Sequence, residues 1–339
     1  MKKTFVLVMI ISLVTFFIGG CSDKKETSSS KGDAQIKIMK ITSVNTKDRA
    51  LSIGLDKFGE IVTQETGGAI KVEVFSDSVL GGERQILEGV QMGSVQGGLL
   101  STAVTGTVAL RLSAFDLPFL FKDRRIAFEV LDGPIGQEVL KDLPGKGIIG
   151  LGYWDSGFRN LTNSKREVKT LADMEGLKVR TMESKIHVDT WRTLGINPTP
   201  MSFNQLYTAL EQKVVDGQEN PYVIIKTNKL FEVQKYMTNT GHVYSSSVFV
   251  ISKVFWDGLT DKEKEIITKA EREARNFERQ LNEKQDNDCL TELVAAGMKV
   301  TDLAPGEKEK IIQKLQQVYK EFAATIGGDF VDRLLTAAK

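Results

Sequence analysis

The spacing of apolar residues along this chain changes period several times, and each change predicts an element. Ile36-Lys-Ile-Met-Lys-Ile41 has period two and predicts a strand. Over 49–66 the spacing turns helical, with Leu51, Leu55, Phe58, Ile61 and Val62 on one face. Thr66-Gly67-Gly68 ends that helix, because glycine adopts the left-handed geometry past a C-cap without a Cβ clash. Ile70-Lys-Val-Glu-Val-Phe75 is a second alternating run. A helix is predicted over 83–92, with Ile86, Leu87 and Val90 on one side, and a third strand over 95–100. This β-α-β-α-β order implies a parallel sheet with helices on its faces.

Leu117-Pro-Phe-Leu-Phe121 reads as an apolar loop, followed by helices over 124–131 and 134–143. A strand over 148–154 is expected to leave this first α/β unit, and a second unit begins there. Its predicted elements are a short strand over 177–181 and helices over 185–194 and 203–212. A strand over 243–252 then returns to the first unit. Thr260-Asp-Lys-Glu263 is a capping box, in which hydroxyl and carboxylate each satisfy one free amide at a helix start. The helical pattern continues to about Ala296. Its apolar positions do not hold a heptad, so the expectation is one long helix lying across both units rather than a coiled coil. A helical pair over 305–326 and 330–338 closes the chain, and no internal repeat is visible.

The first residues bear on compartment. Lys2 and Lys3 precede an apolar stretch over 5–18, about fourteen residues, the length of a signal-peptide core. That is short of the roughly twenty residues a spanning helix needs. The stretch closes on Ile18-Gly19-Gly20-Cys21, two small residues before a cysteine, which reads as a lipoprotein processing site with the Cys21 thiol acylated. Residues 22–35 contain no large apolar side chain and read as a flexible tether. The sequence has two cysteines; with Cys21 lipidated only Cys289 remains, so no intramolecular disulfide can form and the core must hold the fold. Lys+Arg 45 against Asp+Glu 44 gives a net charge of +1, so no global field draws the protein to nucleic acid.

The chemistry-bearing residues point away from catalysis. The chain has two histidines, His187 and His242, far apart in sequence. HExxH, CxxC, a Walker A loop and Gly-x-Ser-x-Gly are all missing from the sequence, and the Gly81-Gly82 pair lacks the dinucleotide-binding pattern. Two histidines and one free thiol do not make a structural zinc set, and no cofactor motif is found. What stands out is the segment 154–242. Arg159 lies in Ser156-Gly-Phe-Arg-Asn160, Arg180 ends Gly176-Leu-Lys-Val-Arg180, Phe203 follows Pro200-Met-Ser, and Asn220 precedes Pro221. A guanidinium presents a planar fork that pairs both oxygens of a carboxylate. A side-chain amide adds a hydrogen bond and a ring supplies an apolar wall. Taken singly, each has a plain alternative: a solvated surface arginine, a core phenylalanine, a turn asparagine.

In combination these residues sit within a recognisable series. Gly157-Phe-Arg-Asn-Leu-Thr-Asn163, Leu171-Ala-Asp-Met-Glu-Gly-Leu-Lys-Val-Arg180, Leu194-Gly-Ile-Asn-Pro-Thr-Pro-Met-Ser-Phe203, Leu206-Tyr-Thr-Ala-Leu210 and Val215-Asp-Gly-Gln-Glu-Asn-Pro221 occur in order. Phe231-Glu-Val-Gln-Lys-Tyr236 and Thr240-Gly-His242 follow, and Val79-Leu-Gly-Gly-Glu-Arg84 and Leu117-Pro-Phe-Leu-Phe121 precede. Together, from about Ile36 to the C-terminus, they resemble the solute receptors of tripartite ATP-independent periplasmic (TRAP) transporters, the DctP family. The resemblance implies an α/β, two-lobe, periplasmic-binding-protein-like (flytrap) fold with a long helix spanning both lobes. The expected organisation is a leader with lipidated Cys21 over 1–21 and a tether over 22–35. Lobe I is expected over 36–155 plus 244–285, and lobe II over 156–243 plus 286–339.

The resemblance further implies that Arg180 carries the main carboxylate clamp, with Arg159 and Asn220 assisting and Phe203 walling the pocket. His242 would line or flank it, and Asn45 and Glu83 would approach from lobe I. An ionised Glu83 only accepts hydrogen bonds and so suits ligand hydroxyls. Sialate-binding members place an acidic residue and an arginine where this chain has Leu99-Leu-Ser-Thr-Ala-Val104, which disfavours sialate. Glu183 is acidic where many members carry Asn or Gln, and is expected either in the pocket or facing water. The ligand expected is a small organic acid, a hexuronate or similar sugar acid first and a C4-dicarboxylate next. The implied protein is an extracytoplasmic, lipid-anchored monomer that hands its ligand to membrane permease subunits. Two alternatives remain: a lipoprotein that senses a ligand and shows its closed form to a signalling partner, and an enzyme on the same scaffold.

Overall fold

The computed structural model describes residues 36–339. The expected leader, Cys21 and the tether lie outside the described residues. Nine strands form one mixed sheet: β1 (Lys37–Thr42), β2 (Ile70–Phe75), β3 (Gly97–Ser101), β4 (Ile148–Asn163), β5 (Lys178–Thr181), β6 (Asn197–Pro200), β7 (Gly217–Asn220), β8 (Tyr236–Ser252) and β9 (Lys299–Asp302). Their order is β2-β1-β3-β8-β4-β7-β5-β6, with β9 beside β8.

The two ends of this sheet are parallel, as the alternation of strand and helix requires. β1 runs parallel to β2 and to β3, with Lys37 opposite Ile70 and Thr42 opposite Phe75. β5 runs parallel to β6 and to β7. Joining the ends is the antiparallel pair β4 and β8, which runs from Ile148 opposite Ser252 to Asn163 opposite Tyr236. Both strands are longer than their apolar runs predict. β4 was expected to stop at Trp154 and β8 to begin at Val243. Most of the extra residues are polar yet buried, because each strand supplies the other's backbone partners and Arg159, Thr162 and His242 bond to Glu219 and Gln218 of β7. The ladder is interrupted between Gly150 and Gly152, Asp155 and Gly157, and Arg159 and Leu161. Gly157, at φ +100°, takes the positive angle that the second of these irregularities needs.

The chain's helices cover both faces. The helix Ala50–Glu65 buries Leu51, Leu55, Phe58 and Val62 against β1 and β2. At Gly98 the backbone of β3 passes so close to Thr42 that a Cβ there would collide with the Thr42 carbonyl oxygen. The long helix Asp261–Ala295 starts at the expected capping box, with Glu263 Oε2 accepting Thr260 N–H at 2.7 Å. Near its start Ile267, Ala270 and Ala274 join the core around Trp154 and Phe249. Near its end Leu293 joins a separate core with Leu206, Ile225 and Met237. Between them its buried face is polar: Glu271, Arg275, Glu278, Arg279, Asn282 and Asp286. That stretch is why no heptad appears in the sequence. Trp154 Nε1 donates to Glu271 at 3.0 Å, and Arg275 and Arg279 both reach Asp132 at 2.6 Å.

The C-terminal helices, Glu307–Ile326 and Gly328–Ala337, close the chain. Phe330, Val331 and Leu334 pack in one cluster with Leu112, Phe115 and Val139 of the first unit and with Leu177 and Trp191 of the second. Arg333 pairs with Glu138 at 2.8 Å, and Tyr319 O–H donates to the Pro118 carbonyl at 2.7 Å. The chain's end therefore contacts both units, through an apolar face that helical periodicity reveals but whose partners it cannot name. Among the described residues no helix is long and apolar enough to cross a membrane.

Candidate functional site

Arg180 lies near the end of β5, a strand held on both sides by β6 and β7. Its side chain is buried rather than out in solvent, 3% exposed. Nε and Nη2 donate to the Met201 carbonyl at 3.0 and 2.8 Å, and the Phe203 ring lies 5.9 Å from Cζ. Among the described residues no carboxylate stands within ion-pair distance of it, and Nη1 donates to no protein atom. Burial, and then the like charge of Arg159, lower its pKa to about 10, against the pull of Glu219, Glu83 and Glu183. Arg180 thus remains a cation at neutral pH with a donor free.

Arg159 reaches the same place from β4, between two of the ladder irregularities. It is 2% exposed and is gripped by Glu219 of β7: Nη2 donates to Glu219 Oε1 at 2.9 Å and Nε to Oε2. Nη1 turns toward Ser245 Oγ at 3.4 Å. Burial pushes the Glu219 carboxyl up, but the Arg159 charge and hydrogen bonds from His242 and Arg159 outweigh it and hold the group well below the usual range. Nothing in the sequence marked Glu219 except its place beside Asn220 in a quoted motif.

The two histidines, distant in sequence, converge on Glu219. His242 Nε2 is 3.0 Å from Oε2, its Nδ1 is 2.8 Å from Thr240 Oγ1, and its ring packs edge-on against Trp191 at 4.8 Å. His187 Nδ1 is 3.9 Å from Glu219 Oε1. His242 therefore flanks the site from behind Glu219 and does not line the cavity. Burial lowers its pKa, with Glu219 opposing.

Arg180 and Arg159 border a cavity whose lining also includes Asn45, Glu83, Phe203, Asn220, Ser101 and a third arginine, Arg49. Glu83 begins the helix Glu83–Met92 and is half-buried; Oε1 accepts Ser101 N–H and Oε2 accepts Ser101 O–H, each at 2.7 Å. Burial raises its pKa, opposed by the Ser101 hydrogen bonds and by Arg180 and Arg159. Asn220 donates its amide to Gln218 Oε1 and turns its remaining capacity to the cavity. Asn45 accepts from Arg49 Nη1 and donates to Ser43 Oγ at 2.7 Å.

Glu183, the acidic residue left between pocket and surface, is not part of the lining. It lies at the rim, 3.5 Å from Arg84 across the gap, where a Cβ at Gly82 would also collide with Ser202 Oγ. A second cavity opens beside Ala103 and Ile186, but its one cation, Lys185, is already paired with Asp189. Of these two cavities, the arginine-lined one offers an anion cations that make no ion pair, Arg180 and Arg49.

Comparison with known proteins agrees with this chemistry. The family model described as bacterial extracellular solute-binding protein, family 7 (DctP), matches residues 41–325. The 2,3-diketo-L-gulonate-binding periplasmic protein YiaO of Escherichia coli is 35% identical over 252 residues, 74% of this chain and 77% of that protein. The crystal structure of the sugar acid binding protein DctPAm from Advenella mimigardefordensis, in complex with galactonate, superposes with a TM-score of 0.87 at 38% identity, covering 89% of this chain and 98% of that one. A TRAP periplasmic solute-binding protein from Polaromonas, bound to D-erythronate, superposes at 0.85 with 38% identity, covering 88% and 98%. The architecture is the two-lobe α/β fold of these proteins, with Asp261–Ala295 as the helix that spans both lobes.

Proposed function

The chain belongs to the DctP family of bacterial extracellular solute-binding proteins (family 7), and from that premise we propose that it captures a sugar acid through Arg180 and delivers it to a TRAP-type membrane transporter. The observation that carries this reading is the state of Arg180: a buried cation bordering a cavity between the lobes, with no carboxylate of its own and a donor unspent. Arg159 differs, because Glu219 already neutralises it; it fixes the geometry and adds one more donor, Nη1.

The ligand carboxylate pairs with Arg180, Asn220 adds a hydrogen bond, and Phe203 closes the apolar side. Free lone pairs on Glu83 accept ligand hydroxyls. The relatives that bind galactonate and D-erythronate support a polyhydroxylated monoacid, and another relative, bound to succinate, keeps C4-dicarboxylates as the next class to try. The event is capture without turnover: the lobes close by hinge motion, expel water and strengthen the pair. The Arg84–Glu183 contact and the tight approach of Gly82 to Ser202 support rim closure. The hinge falls where β4, β8 and the long helix cross, close to the boundaries at 155/156 and 243/244. The receptor works as a monomer, tethered to the membrane through acylated Cys21.

A thermal-shift screen of D-galactonate, D-erythronate, D-glucuronate and succinate tests the reading, because a ligand that binds only the folded state raises Tm. A rise with one or more acids, recovered unchanged by mass spectrometry, is the expected result. No shift with any acid, or a chemically altered acid, overturns it.

A further inference from the structure

We propose that Arg49 is a second anchor in this cavity, donating hydrogen bonds to hydroxyl or carbonyl oxygens at the end of the ligand remote from its carboxylate. The inference rests on the sugar-acid reading above and deepens it. Arg49 precedes the helix Ala50–Glu65, in extended conformation at φ −78° and ψ 145°. Its side chain is 1% exposed and borders the cavity. Nη1 donates to Asn45 Oδ1, and the Asn45 amide is itself held by Ser43 Oγ. Nε and Nη2 are buried and, among the described residues, have no partner. A buried donor without an acceptor is unfavourable, and a buried cationic one more so, so a group that enters the cavity and accepts from it is favoured.

Arg49 and the clamp reach the cavity from separate elements, Arg49 from the start of the helix Ala50–Glu65 and Arg180 from β5, and they have different charged surroundings. The charged neighbours of Arg49 are Glu278, Asp286, Asp155 and Asp48, whereas those of Arg180 are Arg159, Glu219, Glu83 and Glu183. The two sets share no residue. The acids near Arg49 also decide what it takes. Asp155 Oδ2 accepts from Arg124 and Asn282, each at 2.9 Å; Asp286 Oδ2 accepts from Arg124 at 2.6 Å; Glu278 Oε2 accepts Asp155 N–H at 3.1 Å. None forms an ion pair with Arg49; burial lowers its pKa to about 10, and the acids around it oppose that shift. A second full carboxylate there would meet these acids as well as the guanidinium. Neutral acceptor oxygens meet only the donors, so the far end of a polyhydroxylated monoacid fits better than a diacid.

Calorimetry on the full chain tests this with three probes: D-galactonate, glycerate, which is too short to bring oxygens to both ends, and succinate. Arg49→Met is expected to weaken galactonate at least tenfold and glycerate less than threefold. Arg49→Lys, which keeps the charge without the fork, is expected to fall between Arg49→Met and the unaltered chain. Ligand-free melting of each variant identifies loss of fold. Equal weakening of galactonate and glycerate by Arg49→Met would overturn the inference, returning Arg49 to the acidic network beneath the long helix. So would no weakening of either. Binding of succinate but not of galactonate by the unaltered chain would overturn it too, while leaving the carboxylate clamp standing. Conversely, an Arg180→Ala chain that binds all three as tightly as before would sink the clamp, whatever Arg49 does.

Discussion

Replacing Arg180 by alanine separates binding from folding more cleanly than any other change in the cavity. Arg180 has no carboxylate partner, so its removal strands no buried anion; it frees only the Met201 carbonyl that accepted from Nε and Nη2. It also relieves the repulsion from Arg159 that helps lower its pKa to about 10. One unsatisfied carbonyl costs about 1–3 kcal/mol, so a loss of several degrees in Tm is expected and the fold survives. Binding should suffer far more. At pH 7 a pKa of about 10 leaves the guanidinium almost wholly charged, and it meets the ligand carboxylate where water is excluded. Breaking such a buried pair by removing one partner typically costs about 3–5 kcal/mol. At about 1.4 kcal/mol per decade that is roughly a hundredfold to a few thousandfold in Kd. Calorimetry with the best ligand of the thermal-shift screen reads this directly. Arg180→Lys should also bind at least tenfold more weakly, since one ammonium cannot serve the Met201 carbonyl and a carboxylate pair in one plane. Affinity of the unaltered chain should fall as pH rises through about 10, where the cation is lost. A folded Arg180→Ala chain whose Kd lies within threefold of the original would refute the reasoning.

Glu219→Gln should instead strike the fold, because it leaves Arg159 buried without its counter-charge; about 3–5 kcal/mol is expected, a fall of roughly ten degrees in Tm. Glu219 has a folded pKa below its ordinary 4.5, so its contribution is complete above that value and is lost as pH drops toward the folded one. The Tm gap between the two chains should therefore narrow from pH 7 to pH 3, and a gap that widens on acidification would contradict the assignment. Glu183→Gln should change ligand affinity less than fivefold, since its half-exposed partner Arg84 makes a rim pair worth up to about 1 kcal/mol; a hundredfold loss by calorimetry would put Glu183 in the pocket after all. Gly98→Ala forces a Cβ against the Thr42 carbonyl of β1 and should cost about 1–3 kcal/mol in urea unfolding. Cys21→Ser should shift the protein from the membrane fraction to the soluble one and abolish metabolic labelling by palmitate, and retained labelling would exclude Cys21 as the anchor.

Local pattern alone was enough for much of this molecule. The helices over 49–66 and 83–92, the strands that flank them and the capping box at Thr260 all follow from spacing and end chemistry, because a residue's neighbours within one turn or one pleat decide them. The residue types of a carboxylate clamp were legible as well: Arg159, Arg180, Phe203 and Asn220 border one cavity, although they come from different elements. What spacing could not reveal is the fate of polar residues buried by partners far away. The polar stretches of β4 and β8 carry no alternation that marks them as strand until each is laid beside the other. Glu219 reads as a surface acid until Arg159, brought round by the irregular ladder, lies against it. Arg49 stands in the sequence only as the head of a predicted helix, yet it is buried. A buried polar side chain is stable only through its specific partners, and those partners are chosen by the tertiary fold rather than by the chain nearby.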